Sequence, residues 1–318
     1  MSYSLLSGIQ WQRDRPNRLL IYLPHGVMKI EGIELATAAE AILSQLPTPA
    51  STEQLKHRAS ATAQLKPSIC DYALNLLVKS RVLVTLERNE PLSDLEGYFY
   101  LVEGSLQSAT RLKQKRVIVY CFAEDSLALE RTFHASGIGE VILRPLETRM
   151  NLPGEELSNC DAVACIGPPF YHPFARALNR SALEHFTPVL FSEYGGGTAR
   201  IGPTVIGRNL SCLDCVSTRH AANGGGAMLE NVDQWRDAVD ASPVRTLSHP
   251  ILRELLVQHS VFEISRIVLS ETPISFGGYL ELNSVGETHR REVLKVPRCV
   301  SCASNAPERY PFDVTPLS

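Results

Sequence analysis

Eight cysteines are present, and four of them fall into two C-x-x-C pairs, Cys212-Leu-Asp-Cys215 and Cys299-Val-Ser-Cys302. Each short loop can turn two thiolates toward one ion, so the two pairs supply the tetrahedral S4 set of a structural zinc, with bonds of about 2.3 Å. The stretch from Cys215 to Cys299 is far longer than the spacer of a zinc ribbon. The ion would therefore staple segments remote in sequence, and its binding energy would become folding energy. Four thiolates leave no open coordination position, which argues against a catalytic metal. The rival reading is a redox C-x-x-C, which needs one pair only, placed after the first strand of a βα unit. Cys70, Cys121, Cys160 and Cys165 show no such spacing and are expected to be buried, unreactive thiols.

No phosphate-binding loop is legible. The apolar strand Val117–Cys121 is followed by Phe-Ala-Glu-Asp-Ser, which lacks G-x-G-x-x-G, and Glu124 and Asp125 would repel a pyrophosphate there. Ile166 is followed by Gly167-Pro168-Pro169-Phe170, where the prolines remove amide donors. Gly195–Gly197 and Gly224–Gly226 are glycine-rich but do not join a strand to a helix in the required way, and there is no Walker lysine motif. The nine histidines form no arrangement with a nucleophile that spacing alone can support. Arg200 and Arg219 flank the first cysteine pair; they could meet a carboxylate or a partner, although plain solvation is the favoured reading.

The elements that must position these residues fall into two regions. In the first, Leu19–Leu23 ends at the turn signal Pro24-His25-Gly26, and Val27–Ile30 completes a β-hairpin. Residues 34–45 have an amphipathic helical stripe, Ser51 with Glu53 and Gln54 opens a second helix over 51–60, and a third runs over 67–80. The third helix is expected to turn Ile69, Tyr72, Ala73, Leu76 and Leu77 inward. Val82–Leu86 closes the region, whose outline is that of a small winged-helix domain over 1–88. Residues 89–114 read as a charged linker. From 115 to 318 strands alternate with helices: strands at 117–121, 141–144, 162–166 and 189–191, and helices at 124–136 and 172–184. This pattern predicts an α/β domain with a mostly parallel sheet. A long helix over 249–269 and a strand pair over 274–296 complete it.

Composition sets the class. With 318 residues, 44% apolar and 20% charged, the chain is an ordinary globular one of about two domains. A net charge of −3 gives no nucleic-acid footprint, which disfavours a DNA-binding regulator. The N-terminus lacks the pattern of a secretory signal, and no apolar run approaches the ~20 residues of a membrane span. A cytoplasmic location is expected, where thiols stay reduced and ligate metal rather than pair.

Three segments together carry a resemblance. Ile201-Gly202-Pro203, then Ser211-Cys212-Leu213-Asp214-Cys215 and Arg219, resembles the first zinc segment of the ThiF-like partner proteins of azol(in)e peptide biosynthesis. The run from His289 through Pro297-Arg298-Cys299-Val-Ser-Cys302 resembles their second, and the N-terminal region is similar to their winged-helix recognition element. The resemblance implies a ubiquitin-activating-type α/β fold with a structural Zn2+. It also implies a non-catalytic role: binding the leader of a ribosomally made precursor peptide and presenting it to a YcaO-type cyclodehydratase, which forms the thiazoline or oxazoline rings with ATP. A homodimer is implied, and a flavin-dependent azoline dehydrogenase is a further partner the resemblance allows. By the same resemblance the leader would pair with the hairpin edge at Val27, Met28, Lys29 and Ile30 and pack on Tyr72, Asn75, Leu76 and Lys79 of the third helix. The alternative is a ThiF-type enzyme that adenylates a peptide or carrier-protein carboxylate.

Overall fold

The computed structural model describes residues 2–303 apart from 7–8, 24–25, 47–48, 88–91, 104, 147–153, 171, 196, 221 and 223–248. Pro24, His25, Gly196 and the Gly224–Gly226 loop thus lie outside the described residues. The chain divides into two compact units, Met1–Ala109 and Thr110–Ser318.

The first unit contains β1 (Ser2–Leu5), β2 (Gln10–Arg15), β3 (Arg18–Leu23), β4 (Gly26–Glu31), α1 (Ile33–Leu43), β5 (Ala50–Ser51), α2 (Thr52–Ala63), α3 (Pro67–Lys79), β6 (Leu83–Leu86) and α4 (Asp94–Glu103), with α5 (Gln107–Leu112) at its end. The expected hairpin is β3–β4, extended by β2 into a sheet of order β2-β3-β4. The closing strand β6 does not join it; it pairs with β1, a strand not legible in the sequence, in a second sheet of order β5-β1-β6. Helix α2 starts where Ser51 and Gln54 form a reciprocal capping box, satisfying two amides that the first turn leaves open. Residues read as a linker are largely helical. Ser93 and Glu96 cap α4 in the same reciprocal way, at 3.0 Å and 3.3 Å, and that signature outweighs the surrounding charge.

Helix α3 is turned differently from the sequence expectation. Cys70, Ala73, Leu74 and Leu77 are buried, at i, i+3, i+4 and i+7, while Tyr72 is 63% exposed and Ile69 and Leu76 lie at the rim. The reason is size. Cys70 and Ala73 lie in one buried cluster with Ala36, Ala38 and Ala39 of α1, against which α3 packs, and small side chains let two helices approach closely.

The second unit contains β7 (Arg116–Cys121), α6 (Ser126–Ser136), β8 (Glu140–Pro145), α7 (Gly154–Leu157), β9 (Ala162–Gly167), α8 (Pro173–His185), β10 (Val189–Gly195), β11 (Thr198–Val205), α9 (Leu213–His220), α10 (Pro250–Val268), β12 (Gly278–Asn283) and β13 (Thr288–Glu292). Its sheet has the order β13-β12-β11-β10-β9-β7-β8. Strands β8, β7, β9 and β10 are parallel, as the alternating pattern predicts, and β11, β12 and β13 extend it antiparallel. Every residue of β9 is buried, because both faces of the parallel portion are covered. Phe191 packs with α8 on one face, whereas Ser192 accepts a hydrogen bond from Ser260 of α10 on the other at 2.8 Å. No helix among the described residues is long and apolar enough to cross a membrane.

Candidate functional site

The four paired cysteines come together. All are buried, and their sulfurs lie within 4.8 Å of one another. Cys212 and Cys215 are 4.0 Å apart, Cys212 and Cys299 3.7 Å, and Cys215 and Cys302 3.5 Å. Four sulfurs about 2.3 Å from a central ion in a tetrahedron stand about 3.8 Å from each other, so this cage has the size a metal needs. A disulfide, at about 2.05 Å, does not fit these distances. The donors are four thiols and nothing else, which describes a closed site that can hold a metal ion. Thiol hydrogen bonds from Cys212 and Cys302, with the Val296 amide at 3.3 Å, push the Cys215 thiol well down toward thiolate; the same sharing pushes Cys212 up.

A polar lattice around Asp214, inside the first knuckle, was not anticipated from sequence. Its carboxylate is buried and accepts from Arg176 Nε at 2.9 Å and Asn179 Nδ2 at 3.4 Å, both on α8, and from Ser301 Oγ of the second knuckle. Asn179 Oδ1 in turn accepts the Leu213 amide at 3.2 Å. Asp214 thereby ties one knuckle to the other and both to α8. An acidic residue within a C-x-x-C loop was the available signal. Of the remaining thiols, Cys70, Cys121 and Cys165 are buried as expected and Cys160 is only half-buried; burial pushes all four up, Cys121 to about 12 and Cys160 to about 11.

The crevice at the carboxyl ends of β7 and β9, where the strand order reverses, is the place where open α/β sheets take ligands. Here the protein's own groups occupy it. Gly167 has φ of +109°, and a side chain there would meet the Phe122 ring at 3.0 Å. Asp125 is 1% exposed; it accepts from the Tyr194 hydroxyl at 3.1 Å and from Arg253 Nε. Desolvation raises its carboxyl above the usual aspartate range, with Arg253 and Tyr194 opposing the shift.

In the first unit, among the described residues, β4 pairs with β3 only, which leaves its outer edge open. The Gly32 amide donates to Asn17 O at 2.8 Å, in register with the β3–β4 ladder. Alternation of the ladder then commits the backbone of Met28 and Ile30 to β3 and turns that of Val27, Lys29 and Glu31 outward. Of the four positions expected to pair, two thus offer free amides; the Ile30 side chain is in the core at 1% exposure. Beside this edge opens a cavity of about 460 Å³ lined by Gly32, Ile33, Leu35, Ser68, Ile69 and Tyr72, together with Glu34. Gly32 bends the chain from β4 into α1 at φ +103°, a conformation that favours glycine, and leaves Ile33 64% exposed. Asn75 and Lys79 are exposed further along α3, and Leu76 is half-buried. Ile33, Ser68 and Glu31 were missed from sequence, since a residue's outward turn at a strand-to-helix bend is not encoded in periodicity.

No protein-family model matches the chain, and no curated protein matches it by sequence. Solved structures do. The heterocyclase TruD superimposes with a TM-score of 0.65 at 17% identity, covering 95% of this chain and 42% of TruD. A heterocyclase solved with substrate and cofactor matches with a TM-score of 0.65 at 16% identity, covering 95% and 39%. MccB of E. coli matches with a TM-score of 0.57 at 16% identity, covering 98% of this chain and 99% of MccB. The chain thus spans well under half the length of the heterocyclases it matches. At these identities the likeness shows the fold alone: the chain is built on the mixed α/β fold that it shares with TruD and MccB.

Proposed function

We propose that the chain binds the leader of a ribosomally made precursor peptide, presents it to a partner YcaO-type cyclodehydratase and activates that enzyme, without catalysing the reaction itself. The observation that carries this reading is the open β4 edge beside the apolar groove of Ile33, Leu35, Ile69 and Tyr72. An unpaired edge supplies main-chain hydrogen bonds to an extended peptide, and an adjacent groove selects its side chains. The first unit is then the winged-helix recognition domain and the second a ThiF-like scaffold. A structural Zn2+ held by Cys212, Cys215, Cys299 and Cys302 would add folding energy and take no part in chemistry. The fold likeness supports the setting: one matched structure is a heterocyclase with substrate, and another is MccB solved with MccA. The filled crevice at Phe122, Gly167 and Asp125 supports ATP chemistry on the partner rather than here. Ile251, Leu255 and Phe262 recur on one outward stripe of α10 and suit a second copy of the chain.

The test is a titration of the chain with its cognate precursor peptide, with and without the leader, followed by the rate of the YcaO enzyme with and without the chain. Leader-dependent binding and stimulation are expected; absence of both overturns the reading. The second reading, peptide or carrier-protein adenylation, is favoured by the likeness to MccB solved with ATP. Pyrophosphate–ATP exchange by the isolated chain would establish it.

A further inference from the structure

The two arginines that flank the first cysteine pair have different surroundings. Arg200 is spent inside the sheet, donating to Glu193 at 2.6 Å and to Glu281 at 3.0 Å. Arg219, in the last turn of α9, is exposed; its Nε donates only to the Leu294 carbonyl at 3.4 Å, and no carboxylate meets it among the described residues. It borders a cleft of about 490 Å³ lined also by His220, Tyr279, Arg291, Glu292, Val293 and Leu294. His220 Nε2 and the Tyr279 hydroxyl are 2.8 Å apart, and burial keeps the His220 imidazole below its usual range. That pair therefore offers hydrogen bonds rather than charge. The charge comes from Arg219 and from Arg291, half-exposed although tied to Glu281 at 3.3 Å.

Among the described residues, the cleft ends on an open strand edge. β13 is the outermost strand of the sheet, and all five of its residues are exposed. Asn283 N donates to Glu287 O at 3.1 Å and Val293 N to Gly277 O at 2.9 Å, both in register with the β12–β13 ladder. Alternation then turns the amides and carbonyls of Thr288, Arg290 and Glu292 to the outer edge. The segment 289–298 carries Arg290, Arg291, Lys295 and Arg298 against Glu292 alone, in a chain whose net charge is −3. Arg290 is already paired with Glu292 at 2.7 Å and Arg291 with Glu281, so among the described residues the guanidinium that no carboxylate meets is Arg219, and Leu294, 75% exposed, adds an apolar contact beside it.

We infer that β13 and the cleft at its carboxyl end form a second docking site, which takes an extended acidic segment of a partner protein. The segment adds to the sheet through Thr288, Arg290 and Glu292, and its carboxylates meet Arg219 and Arg291. The apolar groove at β4 would not select such a segment, so this site is independent of the function proposed above.

The test is fluorescence anisotropy of the full metal-loaded chain at low salt. The probe is a capped, fluorescein-labelled short peptide alternating Glu and Thr, with a Lys/Thr counterpart. The Glu/Thr peptide is expected to bind and the Lys/Thr peptide not. Arg219→Ser should weaken binding by roughly tenfold, the scale of one charge-assisted hydrogen bond. Thr288→Pro should weaken it to a similar extent by removing an outward amide and no ladder bond. Lys29→Pro, on the other open edge, should leave the affinity unchanged. Equal binding of the two peptides, retained affinity in Arg219→Ser or in the proline variant, or loss in Lys29→Pro overturns the inference.

Discussion

In the first unit, the β4 edge stands open beside a groove whose walls, Ile33 and Tyr72, are 64% and 63% exposed. In the second, the crevice where an α/β sheet usually takes its ligand is filled by Phe122 against Gly167 and by Asp125 bonded to Arg253 and Tyr194. Exposed isoleucine and tyrosine beside unpaired amides cost solubility and invite pairing, so a chain that keeps them has a use for the surface. The buried Asp125 carboxylate is an acceptor already bonded to Tyr194 and Arg253, and it offers no donor to an incoming phosphate. On the function proposed above, the contrast assigns leader binding to the first unit and leaves the strand-end crevice of the second with a structural role, a division the fold likeness to TruD and MccB alone would not reveal.

The largest expected effect tests the structural half of that contrast. Cys302→Ser, or stripping metal with a chelator, should lower the stability of the second unit by more than about 4 kcal/mol, because metal binding to a closed thiolate site is folding energy. Metal content should fall in parallel with the melting temperature. Asp214→Ala should come next, at about 3 kcal/mol: the change leaves the Arg176 guanidinium and Ser301 without the buried carboxylate that joins the two knuckles. Denaturant unfolding measures both. Tyr72→Ala tests the binding half. An exposed side chain contributes little to folding, so stability should stay within about 0.5 kcal/mol while peptide affinity drops by about 1–2 kcal/mol.

How much of this was legible in the sequence follows from what fixes each feature. The cysteine cage was legible because C-x-x-C spacing is local chemistry, and the parallel strands because burial on both faces leaves apolar runs such as Val117–Cys121. The inward face of α3 was not, since periodicity alone does not say that Cys70 and Ala73 can approach the alanines of α1 more closely than Tyr72 can. Nor was β11, whose Gly202-Pro203 reads as a break, or β1, whose partner β6 lies far along the chain. The capping box Ser93-x-x-Glu96 was readable but lay hidden in a charged stretch. Asp214 was visible as a residue, while its three partners come from α8 and the opposite knuckle and exist only in the fold.

The smallest effect concerns the charged ladder across β10, β11 and β12. Burial works to raise the Glu281 carboxyl, but Arg200 and Arg291 outweigh it and hold the group below the ordinary value of 4.5. A depressed native pKa contributes stability that is present above that value and is lost as pH falls through the native one. Glu281→Gln should therefore be slightly less stable than the wild type at neutral pH, with the gap closing below about pH 4. A constant gap across that range would show that the ladder contributes through packing instead.

The most direct test of the account is a calorimetric titration of the chain with its precursor leader, comparing the wild type with Lys29→Pro. Proline at position 29 removes an outward amide of β4 and no bond of the β3–β4 ladder. The account predicts that the wild type binds the leader, that Lys29→Pro loses at least about tenfold in affinity, and that the melting temperature is unchanged. Equal affinity in the two proteins would contradict the claim that the open β4 edge receives the peptide.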